Sequence, residues 1–117
     1  MILNNAQMFD SIPALMAAKD ETGLLGYALA VNLRRISSEL GEYEEQRNQL
    51  LQKYGKEESP GNYALSSEAL AGFRAELEPL AGIEADVQII QVAPEVFYGG
   101  NLTSSQMFAL AYMVKEE

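Results

Sequence analysis

The chain has 117 residues, 48% of them apolar, a length and composition that predict one globular domain. It holds no histidine and no cysteine, which excludes imidazole bases, thiol nucleophiles and ordinary zinc ligation. The formal charge of −9 is uneven: residues 1–56 carry seven acids and six bases, but residues 57–117 carry ten acids against Arg74 and Lys115 alone. A generic grip on nucleic-acid phosphates is therefore not expected.

Met1-Ile2-Leu3 runs directly into Asn4-Asn5, so no secretory signal is predicted. Asn4 or Asn5 caps a first helix whose apolar face is Met8, Phe9, Ile12, Leu15 and Met16. Pro13 lies inside that pattern. Either the helix kinks there or Ser11 caps a new start. The polar stretch Lys19–Gly23 is a break, and Thr22 caps a second helix predicted from Gly23 to Tyr54. The longest apolar run, Gly23–Val31, is far short of the roughly 20 residues that span a bilayer, so no membrane association is expected. Gly55 suits a left-handed helix end, and Lys53 complements the C-terminal dipole.

Residues 55–62 read as a hinge-like loop with Pro60-Gly61 as its turn, inside a single domain covering residues 1–117. Ser66 or Ser67 caps a third helix bearing Leu70, Phe73, Leu77 and Leu80, which Pro79 and Gly82 stop. Ala85–Ala93 is β-branched and reads as a strand, with "MIL" and "NYALS" as short pairing candidates. Thr103 or Ser104 caps a last helix bearing Met107, Leu110, Ala111 and Val114. Its "SQMFAL" echoes "AQMFDS" of the first helix, as two helix starts would. The expected fold is mostly α: a long central helix, three shorter helices and a small β element of two or three short strands.

The second helix carries an apolar seam, Leu29, Leu33, Ile36, Leu40 and Tyr43, resuming at Leu50 and Tyr54, with Arg47 at the intervening core position. A helix of about 32 residues is roughly 48 Å long, whereas a compact domain of this size has a radius of gyration of about 13 Å. The helix is thus expected to overhang its domain. Burial of these eight positions in a homo-oligomer follows, an antiparallel pair being the simplest arrangement.

Arg47 has Glu44 as a local partner, or Glu39 or Glu42 of an antiparallel copy; the other reading leaves it solvated beyond the end of the seam. Arg34-Arg35 is the one adjacent pair of bases and a candidate anion site, for example for a nucleotide phosphate. The plainer reading pairs Arg35 with Glu39 along the helix. Glu39 with "EYEE" places carboxylates a turn apart, but lacks the alternating pattern of a calcium loop. No metal and no cofactor is predicted.

"NLRRISSELGEYEEQRNQLLQKYG", with a capped helix, "ADVQIIQV" and a terminal "LTSSQMFALAYMVKEE" after it, resembles a family of small uncharacterised proteins of tailed bacteriophages and prophages. The resemblance is one of pattern and order over nearly the whole chain. It implies a phage accessory protein working in the host cytoplasm, and it brings no catalytic residues. Gly26 and Gly41 depart from the better helix formers usual there. The expectation is a non-enzymatic, oligomeric helical module that binds a host or phage protein, inhibiting a host defence or regulatory protein. A virion assembly factor or chaperone, and a sponge holding a signalling nucleotide between subunits, are the alternatives.

Overall fold

A computed structural model describes residues 1–116. Strand β1 (Ile2–Asn4) leads into α1 (Asn5–Leu15), a 3-10 turn (Met16–Asp20), α2 (Gly23–Glu39) and α3 (Gly41–Tyr54). A hairpin, β2 (Lys56–Ser59) and β3 (Asn62–Ala64), precedes α4 (Ser67–Ala81) and β4 (Glu84–Asp86). After an extended segment come α5 (Pro94–Tyr98), α6 (Ser104–Ala109) and a 3-10 turn (Ala111–Met113). The fold is mostly helical, as expected. None of the helices described is long and apolar enough to cross a membrane.

Local signals account for most helix starts. Asn4 caps α1 by accepting from the Gln7 N–H at 2.7 Å, while the Gln7 side chain accepts from the Asn4 N–H at 2.8 Å. Thr103 and Gln106 repeat this reciprocal arrangement at α6. The echo between "AQMFDS" and "SQMFAL" is thus a shared way of closing the first turn. Ser66 caps α4 through the Ala69 N–H. Thr22 precedes α2 without a side-chain cap. Pro13 sits within an unbroken α1, and Ser11, instead of starting a new helix, is buried with its hydroxyl donated to the Met8 carbonyl.

The single long helix is not formed. It divides at Leu40 into α2 and α3, although Leu40 N–H still reaches Ile36 O and Glu44 N–H still reaches Leu40 O. Gly41, costing about 1 kcal/mol relative to alanine inside a helix, marks the division. Gly55 is extended (φ −89°, ψ 158°), not left-handed. A Cβ there would meet Leu51 O at 2.6 Å and Tyr63 Cβ at 2.9 Å, so close approach explains the glycine. The segment read as a hinge-like loop forms the β2–β3 hairpin, turning at Gly61 with φ +82°. "NYALS" supplies its second strand, not a partner for residues 85–93.

The expected strand over residues 85–93 is mostly not paired as one. Only β4 forms, antiparallel to β1 with Leu3 opposite Ala85. Beyond it, side chains of α2 replace a partner strand. Fully buried Asn32 donates to Ile90 O at 3.0 Å and accepts from Ile90 N–H at 2.9 Å, and Arg35 donates to Gln88 O at 2.9 Å. Val92 then bridges to the C-terminal segment, its N–H bonding Met113 O.

One core results, built from Leu3, Met8 and Leu15, the α2 face Leu25, Leu29 and Ile36, then Leu40, Tyr43, Val92, Phe97, Leu110 and Met113. The molecule is elongated, 46 × 28 × 22 Å with a radius of gyration of 16.3 Å, against about 13 Å for a compact chain of this length. The extra length comes from α3, along which α4 returns after the hairpin. Replacing Asn32 with Ala removes both bonds to Ile90 and should cost about 1–3 kcal/mol. Thermal unfolding should register this as a melting point lowered by roughly 4–12 °C.

Candidate functional site

The seam residues are placed by this architecture inside their own chain. Leu29, Ile36, Leu40 and Tyr43 are buried in the core and Leu33 is half-buried against it. Leu50 and Tyr54 are half-buried on α3, the helix that α4 flanks. Four of the eight positions are thus taken up by the chain's own core, and Leu33, Arg47, Leu50 and Tyr54 keep part of their surface. The overhang is real, and α4 is the element that runs along it.

Arg47 is neither a buried ion-pair partner nor simply solvated. Its guanidinium lies 4.9 Å from the centre of the Phe9 ring and 5.8 Å from that of Phe73, joining α1 to α4 across α3. Stacking on aromatic faces satisfies a cation at a core position without a carboxylate. Phe9 in turn meets Tyr43 edge-on at 5.8 Å. At the far end of α3, Lys53 pairs with Glu76 of α4 at 2.9 Å, and the Tyr54 hydroxyl donates to the same carboxylate. These bonds hold the Glu76 carboxyl below its usual range, those from Tyr54 first and Lys53 second.

Next to Tyr43 opens a cleft of about 240 Å³. Its apolar lining is Tyr43 of α3, Leu80 of α4, Ile83 and Ala85. Its rim carries the carboxylates of Glu39, Glu42 and Glu84 and the amides of Asn5 and Gln46. Asn5 fixes the walls, donating its amide to Leu80 O at 2.9 Å while its N–H bonds Ile83 O at 3.0 Å. Gln46 donates to Glu42 at 3.0 Å and holds that side chain along α3. No base lines the cleft, and none of its three acids is ion-paired within the described residues. These acids do not converge: no group of three carboxylates suited to holding a metal ion occurs among the described residues. Burial raises the Tyr43 hydroxyl above its ordinary pKa, Arg47 works against that, and Asp10 adds to it.

Arg34 and Arg35 are exposed on α2 and border a wider groove of about 410 Å³. Arg35 is spent partly on Gln88 O, not on Glu39. Two carboxylates, Glu39 and Asp86, share the groove with the two arginines, and Asp86 is already paired with the Met1 ammonium at 2.7 Å. Sequence reasoning passed over Asn32 and the Leu80–Ile83–Glu84 wall. The signal for Asn32 was available: it falls between Leu29 and Ile36 on the face that also carries Leu25 and Leu40, a polar residue at an apolar step. The wall had no local signal, because it is assembled from α4, β4 and α1.

Comparison with known proteins gives no match: no family model fits the chain, and no curated protein or solved structure does. The site therefore stands on its geometry alone.

Replacing Arg47 with Ala should cost about 1 kcal/mol in chemical denaturation, from the two lost ring contacts. It should also move Tyr43 ionisation further upward in an ultraviolet pH titration, because the one influence lowering that pKa is gone.

Proposed function

We propose that the chain is a non-enzymatic binding module that seats a basic, partly apolar segment of a protein partner in the cleft beside Tyr43. The observation that carries this reading is a cleft lined by apolar side chains and three carboxylates, with no base. An arginine or lysine suits that combination. Its aliphatic stem lies on Leu80 and Ile83 while its charged head reaches Glu39, Glu42 or Glu84. At about 240 Å³ the cleft is smaller than the roughly 300 Å³ at which small-molecule sites begin, which favours a single side chain over a metabolite. The charge of −9 steers a basic partner toward the molecule.

The resemblance to phage proteins supplies the biological setting for this reading: an accessory protein in a host cytoplasm, occupying a host defence or regulatory protein. A nucleotide sponge has less support, since Arg35 already donates to Gln88 O and the Glu39 carboxylate shares the groove with the two arginines.

Peptides carrying Arg or Lys beside apolar residues should bind the wild-type chain, more weakly as salt rises. Changing Glu42→Lys with Glu84→Lys should abolish that binding and leave the helical content intact. In capture from infected cells, a host protein retained by wild type should be lost by this variant. Equal capture by both would sink the reading.

A further inference from the structure

Strand β4 uses one of its two edges. Met1 and Val87 exchange main-chain bonds: the Val87 N–H donates to Met1 O at 2.8 Å, and the Met1 nitrogen donates to Val87 O at 3.0 Å. At the other end of the strand the Asn5 N–H donates to Ile83 O at 3.0 Å. Residues 83, 85 and 87 therefore point their peptide groups toward β1 and its flanks. Antiparallel pairing alternates, so the N–H and C=O groups of Glu84 and Asp86 point the other way. No strand lies on that edge among the described residues, and Glu84 and Asp86 are both exposed.

Beside the same edge run α2 and α3, in the opposite direction. Asn32 answers the main chain at Ile90 and Arg35 answers it at Gln88. Each further turn of helix passes the next outward-pointing strand residue, which brings Ser38 and Glu39 beside Asp86, and Glu42 beside Glu84. The linings agree: Ser38 and Glu39 border the groove with Asp86, and Glu39 and Glu42 border the cleft with Glu84. The bonds from the helix stop at Gln88. Glu39 and Glu42, as carboxylates, have no proton to give a carbonyl. Space opens there instead, about 410 Å³ at the groove and about 240 Å³ at the cleft, with Glu39 common to both. Residues 83–88 form the strand-side wall of both, roughly 17 Å of extended chain.

We propose that an extended basic peptide of the partner protein adds to β4 as a third strand, between this edge and the α2–α3 pair. This placement rests on the binding of a basic segment proposed above, and it gives that segment a conformation. Main-chain bonds to Glu84 and Asp86 hold it, and its side chains alternate in direction. One set stands beside the carboxylates of Glu84 and Asp86. The other turns to the side of Ala85, where Tyr43 and Leu80 line the cleft. Charge selects the occupant. Glu39, Glu42, Glu84 and Asp86 border the path, against Arg34 and Arg35 at its far end. A second copy pairing edge to edge would instead set acids against acids across the ladder, which is destabilising.

The probe is a short capped peptide alternating valine and arginine, added to the whole chain. At saturation it should slow amide exchange at Glu84 and Asp86 by at least about tenfold. The Val87 N–H, already bonded to Met1 O, should change little. Two N-methylated forms of the peptide, one at the arginines and one at the valines, separate strand addition from plain charge attraction, because methylation removes donors and keeps the charge. An added strand turns only one set of its N–H groups toward β4. One form should therefore lose at least about tenfold in affinity while the other keeps most of it. If the parent peptide binds but both forms bind alike, or both fail, strand addition is overturned and basic-segment binding stands. A parent peptide that does not bind overturns both. Protection of Glu84 and Asp86 that rises with protein concentration, without peptide, gives the edge to a second copy and overturns the proposal as well.

Discussion

Two hydrogen bonds between the Asn32 amide and the main chain of Ile90 tie the halves of this molecule together. Residues 87–91 run extended over α2 without a neighbouring strand, and buried peptide groups without partners are costly. Asn32 supplies both a donor and an acceptor at the spacing a strand would offer. With that segment fixed, Val92 can meet Met113 and bring the C-terminal elements onto α1 and α2. Few side chains can replace Asn32. Leucine would fill the space but leave two peptide groups unanswered, and aspartate would set a charge against a carbonyl.

The second half of the architecture solves a different problem. An α3 that extends beyond the main core needs cover, and α4 is the helix that returns along it. Contacts between the two change in character along the length. Near the core they are aromatic and cationic, with Arg47 over Phe9 and Phe73; at the tip they are exposed and ionic, with Lys53 and Tyr54 on Glu76. Exposed pairs of that kind contribute little, so the tip is held less firmly than the base. The cleft lies at the firm end, where Asn5 braces α1 against α4, and its carboxylates stand on a surface that keeps its shape.

What was legible in the sequence was local. Asn4, Ser66 and Thr103 announce their helices, because capping depends on a few neighbouring residues. The pairing of the opening strand with residues near 85 was also legible, from β-branched composition and length. The division at Leu40 was not: the apolar steps continue through it, and helical bonds persist on both sides. The seam is legible as a packing surface, and Leu29, Ile36, Leu40 and Tyr43 pack in the chain's own core; nothing in its spacing distinguishes a helix of the same chain from one of another. The short strand failed for the opposite reason. Val87–Val92 has strand composition, yet whether a ladder forms depends on what lies alongside, and here it is an asparagine on a helix. The cleft's far wall comes from residues about 40 positions distant from Tyr43, beyond the reach of any local pattern.

The hydrogen bond from Tyr112 to Ser11 joins positions 101 residues apart, and α6 packs on α1. During synthesis, then, the first helix can pack early on α2, but the side that meets α6 stays open until residues 104–113 have been made. Leu110 and Met113, both fully buried, are made long after the α1 and α2 faces they cover. Contacts so distant in sequence slow folding, and the exposed apolar faces of α1 and α2 must wait for them in solution. The acidic residues concentrated after position 57 repel other nascent chains during that interval, so the charge that shapes the finished surface also protects the unfinished one.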